Sequence, residues 1–395
     1  MSQTQLDETA VENFREYLRI PSVQPDVNYD ECVAFLTRQA QSLDLPIKIY
    51  HIHPKKPIVI LTWIGMQPTK PSILLNSHMD VDEWIYPPFS AHMDEEGNIY
   101  ARGAQDMKCV GIQFLEAIRR LKLNRQRCQR TIHLSFVPDE EIGSVFGMKD
   151  FVHTADFKAL NVGFALDEGF ACPYESMYAF YTDKPSWHVE IKCAGNPGHG
   201  SFLPDNTAGE KLRIIIERFM DFRASEKAKM DSTKSWFSLG QVTTVNLTKI
   251  WGGLQTNIIP NELSAIFDIR PTSSVDHEEL EATIKRWCEE AGPDVTYSFK
   301  QKNPKSKATK LDNSNPYWIA FKKTCDEIGV NLEIGVLPGS ADSRFLREVD
   351  IPTLCFSPMY NTKIALHDHN EYLNKDIFLK GIEIYTKIIP SVANV

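Results

Sequence analysis

A chain of 395 residues is long enough for two or three domains with cores of their own, and 42% hydrophobic residues are typical of a folded globular protein. Its 52 acidic and 43 basic residues leave a net charge of −9, which argues against nucleic acid or an anionic membrane as the main partner. Segment 1–9 lacks the apolar core of a signal peptide, and the most apolar run, 58–64, is too short to span a membrane. The 8 cysteines contain no Cys-x-x-Cys spacing, which indicates reduced thiols in a cytoplasmic protein.

Hydrophobic periodicity predicts the elements in chain order. We expect helices over 8–19 and 32–40, strands over 47–52, 58–64 and 73–77, loop over 81–98, a helix over 106–121 and a strand over 131–137. After Pro185 we expect strand, helix, strand, strand, helix and strand over 187–193, 207–222, 242–250, 263–269, 278–290 and 295–299. That order is typical of a ferredoxin-like α+β unit. The prediction is an α/β catalytic domain built from 1–185 and 303–395, with a second domain inserted over 186–302.

The stretch Ser77-His78-Met79-Asp80 follows an apolar run that is typical of a buried strand. Residues two apart at a strand end face the same way, so His78 and Asp80 share one face. A histidine that binds a metal commonly gives its second ring nitrogen to a carboxylate. The pattern therefore fits a metal ligand with its orienting acid, and it also fits an ordinary polar strand end.

Further acids and histidines stand where other predicted strands end or a helix begins: Asp106, Glu140, Glu141, Glu168 and the segment His367-Asp368-His369-Asn370-Glu371. The carboxyl ends of strands in an open α/β sheet meet in one crevice. Carboxylates grouped there would repel one another without a cation between them, so a shared metal site is predicted. Taken singly, Asp106 could be a helix N-cap, and the Glu140-Glu141 pair could be part of a solvated loop.

Together these segments resemble, over nearly the whole chain, the co-catalytic di-zinc amidohydrolases, a family that includes aminoacylase, acetylornithine deacetylase and succinyl-diaminopimelate desuccinylase. The likeness to the aminoacylases of this family is carried by Ala101 to Lys108, Val137 to Glu141 and Leu366 to His369. It implies a mixed-sheet, di-zinc exopeptidase-like catalytic domain, with the insert acting as lid and dimerisation domain of a homodimer. It also implies hydrolysis of N-acyl-L-amino acids, preferably N-acetyl compounds with neutral side chains, and two zinc ions per subunit.

The resemblance assigns five metal ligands: His78 and Glu168 on one zinc, Glu141 and His367 on the other, and Asp106 between them. It makes Asp80 the acid that orients His78, and Glu140 the general base. Adjacent residues of an extended chain point apart, so one glutamate can face the metal while the other faces the attacking water.

The resemblance also assigns groups that touch the substrate: His199 on the developing oxyanion, and Arg270, Asn257, Gly339 and Ser340 in binding. The planar guanidinium of Arg270 suits the free carboxylate of an amino acid, but an ion pair with Asp268 is an equally good reading of the same segment. His199 lies between two glycines, where a solvent-facing histidine is also common.

One stretch departs from the family pattern. Family members often continue His-x-Asp with Val-Val-Pro and a longer loop, whereas here Val81-Asp82-Glu83-Trp84 leads quickly to Pro87 and Pro88. The departure bears on the pocket mouth and hence on substrate preference, and we expect it to leave the metal ligands untouched.

Two rival functions remain. A dipeptidase or carboxypeptidase on the same scaffold would cleave a similar bond, and a dipeptidase would need a further acid to hold the free amino terminus. A metal-free binding protein of the same fold should have lost a ligand or the base, yet all five ligands and Glu140 are present.

Overall fold

The structure is a computed structural model that describes residues 2–82, 88–231 and 236–395. It divides the chain into two compact units. The first comprises 1–181, 307–334 and 341–395, and the second comprises 182–306 and 335–340. The predicted insert 186–302 lies inside the second unit, which also contains the short segment 335–340 that the sequence did not indicate.

The first unit is a layered α/β structure around a large mixed sheet. Its helices are α1 (Gln3–Leu18), α2 (Asp30–Ser42), α3 (Lys108–Leu123), α4 (Met148–Phe151), α5 (Ala155–Ala159), α8 (Pro316–Glu327), α9 (Ser343–Glu348) and α10 (Lys375–Ala393). Its strands are β1 (Ile47–His53), β2 (Lys56–Trp63), β3 (Ser72–His78), β4 (His92–Met93), β5 (Asn98–Tyr100), β6 (Ile132–Val137), β7 (Val162–Asp167), β8 (Met177–Asp183), β15 (Leu332–Leu337), β16 (Thr353–Phe356) and β17 (Tyr372–Asn374), of which β8 and β15 end in the second unit.

Eight of these strands form one sheet in the order β1-β2-β6-β3-β7-β16-β8-β15. The three central strands β6, β3 and β7 run parallel, and every residue of β3 and β6 is buried. Both strands are covered on both faces, although each also contains buried polar residues, such as Asn76 in β3 and His133 in β6. Because the three strands point the same way, the residues that follow them meet at one edge of the sheet.

Helices α1, α3 and α10 pack together beside this sheet. The rings of Phe14 and Phe378 stack with centroids 4.4 Å apart, which joins α1 to α10. The fully buried Lys108 at the start of α3 donates hydrogen bonds to the backbone oxygens of Tyr17 and Ile20. Those carbonyls lie at and just beyond the C-terminal end of α1, where backbone oxygens lose the regular helical partners, so the buried ammonium adds hydrogen bonds there and ties the first turn of α3 to α1.

The second unit has its own sheet and core. It contains β9 (Trp187–Ala194), β10 (Gly198–His199), α6 (Ala208–Asp231), β11 (Thr244–Gly252), β12 (Ile258–Ile259), β13 (Glu262–Arg270), α7 (His277–Ala291) and β14 (Val295–Lys302). Four strands pair antiparallel in the order β11-β13-β9-β14, and β10 pairs with β12. Phe219 of α6 stacks on Phe267 of β13 with centroids 3.8 Å apart. Strand β11 lies at an edge of the sheet.

The predicted elements differ from the observed ones mainly at their ends. Helix α1 begins five residues before the predicted start at residue 8, and α3 begins at Lys108. The stretch 81–98 was expected to be loop and contains the short strand β4. Residues 83–87 of that stretch lie outside the described residues. Among the described helices, none is both long and apolar enough to cross a membrane.

Helix α3 approaches β3 closely at Gly111, and this contact generates a prediction. A methyl group on Gly111 would lie 2.7 Å from Ser77 Oγ and 2.9 Å from the ring of Phe136. We expect Gly111→Ala to lower the free energy of unfolding by about 1–3 kcal/mol, the usual cost of overpacking a core, although alanine is the better helix former. The measurement is denaturant unfolding of both proteins.

Gly209 provides the matched control, because it also lies in a helix but the nearest atom to an added methyl group is 3.9 Å away. Gly209→Ala should leave stability unchanged or raise it slightly. Equal effects of the two substitutions would show that the close approach of α3 to β3 is not what constrains residue 111.

Candidate metal centre

Three ligating side chains meet at the carboxyl edge of the central strands. His78 ends β3, Glu168 follows β7, and Asp106 lies two residues before α3. His78 Nε2 lies 3.1 Å from Asp106 Oδ1 and 3.4 Å from Glu168 Oε2. His78 is fully buried, so its ring orientation is fixed by packing as well as by these contacts.

A second group of three acidic and histidine side chains lies beside the first. His367 Nε2 lies 3.1 Å from Glu141 Oε2, and His367 Nδ1 lies 2.8 Å from Asp82 Oδ2. The ligand atoms of Asp82, Glu141 and His367 all lie within 4.8 Å of one another. Sequence reasoning did not assign Asp82, and the expectation that the departure after Asp80 leaves the five ligands untouched stays a prediction. The available signal was the period of two, because Asp82 continues the alternation of His78 and Asp80.

The carboxylate of Asp106 belongs to both groups. Its Oδ1 faces His78, and its Oδ2 lies 3.3 Å from Nε2 of His367. The alternative reading of Asp106 as a helix N-cap was wrong, because Met107 occupies that position and no side chain caps α3. A carboxylate with one oxygen toward each of two histidines has the arrangement of a bridging ligand.

The hydrogen bonds of the two histidines decide which nitrogen is available to a metal. His78 Nδ1 lies 3.0 Å from the backbone oxygen of Asp80, and a carbonyl oxygen can only accept. Nδ1 therefore carries a proton, and Nε2 is the nitrogen that faces Asp106 and Glu168. In the metal-free chain these carboxylates raise the pKa of His78 despite its burial, so Nε2 is protonated too and donates to Asp106, and a metal ion would replace that proton. His367 repeats the arrangement, with its Nδ1 against the carboxylate of Asp82.

Asp80 has a different main contact from the one expected. Its Oδ1 lies 3.6 Å from His78 Nδ1, but its carboxylate accepts the backbone N–H groups of Glu140 and Glu141, each at 3.2 Å. Gln24 Nε2 donates to the same carboxylate at 2.7 Å. Asp80 thus holds the chain that carries both glutamates, while its backbone carbonyl orients His78.

The two glutamates lie in a 3-10 helix, Glu140–Ile142, rather than in extended chain as expected. The turn follows Asp139, whose φ is +57°. Glu141 joins the group around His367, and Glu140 comes near Glu168, whose charge adds to burial in raising the pKa of Glu140. The separation of the two side chains therefore comes from a tight turn bound to Asp80.

Burial and mutual repulsion shift the acids of this centre strongly. Burial, reinforced by Asp106, raises the pKa of Glu141 to about 8 and that of Glu168 well above its usual range. Burial and then Glu168 raise the pKa of Glu140 in the same direction. Burial also acts against ionised Asp106, but hydrogen bonds from His367 and His78 outweigh it and keep its pKa well below the usual range. Carboxylates so placed need positive charge beside them.

The donor set fits a pair of divalent cations. Nitrogen and oxygen ligands about 2.0–2.1 Å from a tetrahedral zinc lie about 3.3 Å from one another, and the contacts around the two histidines measure 3.1–3.4 Å. Glu141 Oε1 is buried and has no hydrogen-bond partner among the described residues. A buried carboxylate oxygen without a hydrogen-bond partner, among other potential ligand atoms, fits a residue that would bind a metal ion.

Glu371 is a further residue whose part in the centre the sequence did not assign. It is fully buried and accepts the backbone N–H groups of Gly103, Gln105 and Asp106, at 3.1, 2.6 and 3.2 Å. Arg102 Nη1 donates to it at 3.1 Å. Glu371 therefore ties the turn that carries Asp106 to the segment that carries His367. Its place four residues after His367 was the only sequence signal.

A polar network lies behind the ligands. Asn76 Nδ2 donates to Asp167 at 3.0 Å and to Asp342 at 3.1 Å, all three residues being buried. Burial and the neighbouring Asp167 raise the pKa of Asp342 to about 8. Gly339 and Ser340, two predicted substrate contacts, belong to the second unit, and the chain enters the first unit at Ala341.

The other predicted substrate residues also lie in the second unit. His199 of β10 is exposed, with its Nδ1 2.8 Å from Ser201 Oγ. Asn257 is its neighbour, because Gly200 N donates to the backbone oxygen of Asn257 at 2.8 Å. Arg270 forms the ion pair that the sequence left open, donating from Nε and Nη2 to Asp268 at 2.7 and 3.0 Å.

Comparison with known proteins identifies the family. Residues 74–391 match the family model described as Peptidase family M20/M25/M40. The chain belongs to this family. This M20 family member is 45% identical to Aminoacylase-1 of Homo sapiens over 387 residues, which cover 97% of this chain and 95% of the human protein. It is 42% identical to Aminoacylase-1 of Dictyostelium discoideum, with 96% of this chain and 97% of that protein covered.

A solved structure, an M20 family metallo-carboxypeptidase from Sulfolobus solfataricus, superposes on the M20 chain with a TM-score of 0.74 at 17% identity, and 100% of each chain is covered. At that identity the likeness shows the fold alone, a mixed α/β fold with a large mixed sheet. The predicted resemblance to the di-zinc amidohydrolase family, made from five short motifs, is confirmed at the level of the family.

The raised pKa values predict how stability depends on pH when no metal is bound. In the folded chain Glu141 keeps its proton up to about pH 8, whereas a glutamate in the unfolded chain releases its proton at about pH 4.3. The folded state then binds more protons than the unfolded state, so the free energy of unfolding should fall as pH rises from about 5 to about 8. Denaturant unfolding in the presence of a chelator measures this.

Added zinc should raise stability at pH 8 more than at pH 5, because a dication stabilises the ionised carboxylates that are otherwise repelled. Metal-free protein that is as stable at pH 8 as at pH 5 would contradict the electrostatic picture of the centre.

Proposed function

We propose that this chain is a metal-dependent aminoacylase that hydrolyses N-acyl-L-amino acids to a carboxylate and a free amino acid, with preference for N-acetyl compounds with neutral side chains. The observation that carries the proposal is the carboxylate of Asp106, with one oxygen toward each of two histidines. The similarity to Aminoacylase-1 proteins over 97% of the chain supports the choice of substrate class within the family.

Two zinc ions per subunit are the proposed cofactors. His78, Asp106 and Glu168 would hold one ion, and Asp106, Glu141 and His367 the other. Imidazole nitrogens mixed with carboxylate oxygens suit zinc, with cobalt or manganese as possible substitutes. When bound, such ions lower the pKa of water and polarise a carbonyl group.

Glu140 is the proposed general base. Burial and the nearby Glu168 raise its pKa, so its carboxylate is a stronger base than a solvated glutamate. It would take a proton from the water that attacks the acyl carbonyl, and then deliver that proton to the leaving nitrogen as the C–N bond breaks. Asp80 would keep Glu140 in position, because it binds the backbone N–H of Glu140.

The second unit would supply the groups that bind the substrate. Arg270 and Asn257 are proposed for the free carboxylate, and His199 for the oxyanion, where one donor is worth about 2.7–4 kcal/mol. Arg270 uses Nε and Nη2 on Asp268, so substrate would engage the rest of the guanidinium or replace Asp268. Gly339 and Ser340 would leave room for the side chain of the amino acid.

We also propose a homodimer joined through the second unit, which would act as a lid. Two features support this arrangement. Strand β11 is a sheet edge with exposed side chains at Ile250 and Trp251, and an edge strand can pair with another chain. The side chains of Leu203 and Leu254 are almost fully exposed, which is unusual for leucine unless a partner covers it. A cytoplasmic location is proposed as well, since all eight cysteines are free and buried.

The reaction is tested by comparing substrates. We expect acetate release from N-acetyl-L-methionine with two zinc ions bound, weaker use of its amide because the free carboxylate is lost, and little cleavage of unblocked dipeptides. Glu140→Gln should keep both ions and lower kcat by about 100-fold or more, since a general base contributes about 10²–10⁴-fold. Preferred cleavage of dipeptides would replace the proposal with a dipeptidase. Zinc loss from Glu140→Gln would exchange the roles of Glu140 and Glu141.

The dimer is tested by mixing two inactive variants, His199→Ala and Glu140→Ala. If His199 of the partner subunit completes each site, one site of every mixed dimer has both an intact Glu140 and an intact His199. Activity should return in that fraction. A mixture that stays inactive after verified subunit exchange would show that His199 acts within its own chain, and a monomer in solution would exclude the arrangement altogether.

A further inference from the structure

Asp82 makes a contact that none of the roles assigned so far uses. Its Oδ2 lies 2.8 Å from Nδ1 of His367, while Nε2 on the other side of the same ring faces Asp106 and Glu141. The ring of His367 therefore lies between an acid on one edge and the ligating carboxylates on the other. A carboxylate on the second nitrogen of a ligating histidine fixes its tautomer and orientation and raises its basicity.

The two histidines are held in different ways. The side chain of His78 is 0% exposed, and its Nδ1 has a neutral partner, the backbone oxygen of Asp80. The side chain of His367 is 51% exposed, and its residue has a left-handed backbone with φ +56° in a turn. Packing restrains the ring of His78, whereas a half-exposed ring on a turn needs a hydrogen-bonded partner to hold its direction.

The backbone places Asp82 firmly enough to serve as that partner. Val81 is fully buried, its N–H donates to the backbone oxygen of Ser22 at 2.9 Å, and its own backbone oxygen accepts from Gln24 N at 3.1 Å. Both backbone groups of the residue just before Asp82 are thus hydrogen-bonded to segment 22–24. The same extension of β3 carries His78 and Asp82, so one strand end serves both halves of the centre.

We propose that Asp82 is a positioning residue for the second metal ion, acting through His367 and not as a ligand itself. The inference rests on the proposed metal-dependent function. It adds that the affinity for the second ion depends on Asp82, whereas the affinity for the first ion does not. Loss of an orienting carboxylate of this kind typically weakens metal binding by about 10–100-fold.

The test measures the affinity of each metal site by chelator competition, with ¹¹³Cd NMR to follow the two sites separately. Asp82→Asn keeps the shape and removes the charge, and Asp82→Val removes the polar group as well. Both should weaken one site about 10–100-fold and shift one cadmium signal, leaving the other site and its signal as in the unchanged protein. The unchanged site also shows that the variant has folded.

Asp368→Asn is the matched control, because Asp368 is the neighbour of His367 but its carboxylate lies at the surface, 3.9 Å from Lys363 Nζ. It should leave both affinities unchanged. Equal affinities in Asp82→Asn and the unchanged protein would overturn the proposal, and so would complete loss of one ion, which would make Asp82 a ligand. An unchanged protein that binds fewer than two ions would instead refute the proposed di-zinc function, so the two failures are distinguishable.

Discussion

Buried carboxylates are unstable without positive charge beside them, and this constraint organises the edge of the large sheet. Asp106 satisfies it by facing His78 with one oxygen and His367 with the other, which keeps its pKa low. Glu141 and Glu168 have less compensation, so burial raises their pKa values. The buried carboxylates of the metal-free chain thus repel one another, and the proposed metal ions would offset that repulsion. Burial and the nearby Glu168 also raise the pKa of Glu140, as the proposed general base requires.

Two acids outside the ligand set hold the chain around this centre. Asp80 binds the N–H groups of Glu140 and Glu141, and Glu371 binds those of three residues from Gly103 to Asp106. In both cases a buried carboxylate accepts hydrogen bonds from several backbone N–H groups, which lie close together where the chain turns tightly. The ligands can therefore lie on turns and still be fixed, because their backbone is bonded to a neighbouring segment.

The sequence was sufficient to predict much of this arrangement. His78 and Glu168 were predictable because each stands at the end of an apolar strand, and parallel strands bring their ends together. Asp82 and Glu371 were not assigned, because their partners lie more than 260 residues away in the chain. The period of two that places Asp82 on the face of His78 and Asp80 does not indicate that His367 is its partner. The turn at Glu140 was predicted as extended because the stabilising contact comes from Asp80. That segment 335–340 belongs to the second unit was missed for the same reason, because only contacts between residues far apart in the chain show it.

The order of the ligands along the chain has a consequence for biosynthesis. His78, Asp106 and Glu168 have all been made by residue 168, whereas His367 and Glu371 come close to the C-terminus. At about 5–20 residues per second, the ribosome makes the two halves of the centre many seconds apart. Until then the turn before α3 lacks the acid that binds it, and the second group of ligands lacks its histidine. A prematurely terminated chain would keep the three candidate ligands of the first group, His78, Asp106 and Glu168, and still be unable to assemble a complete centre.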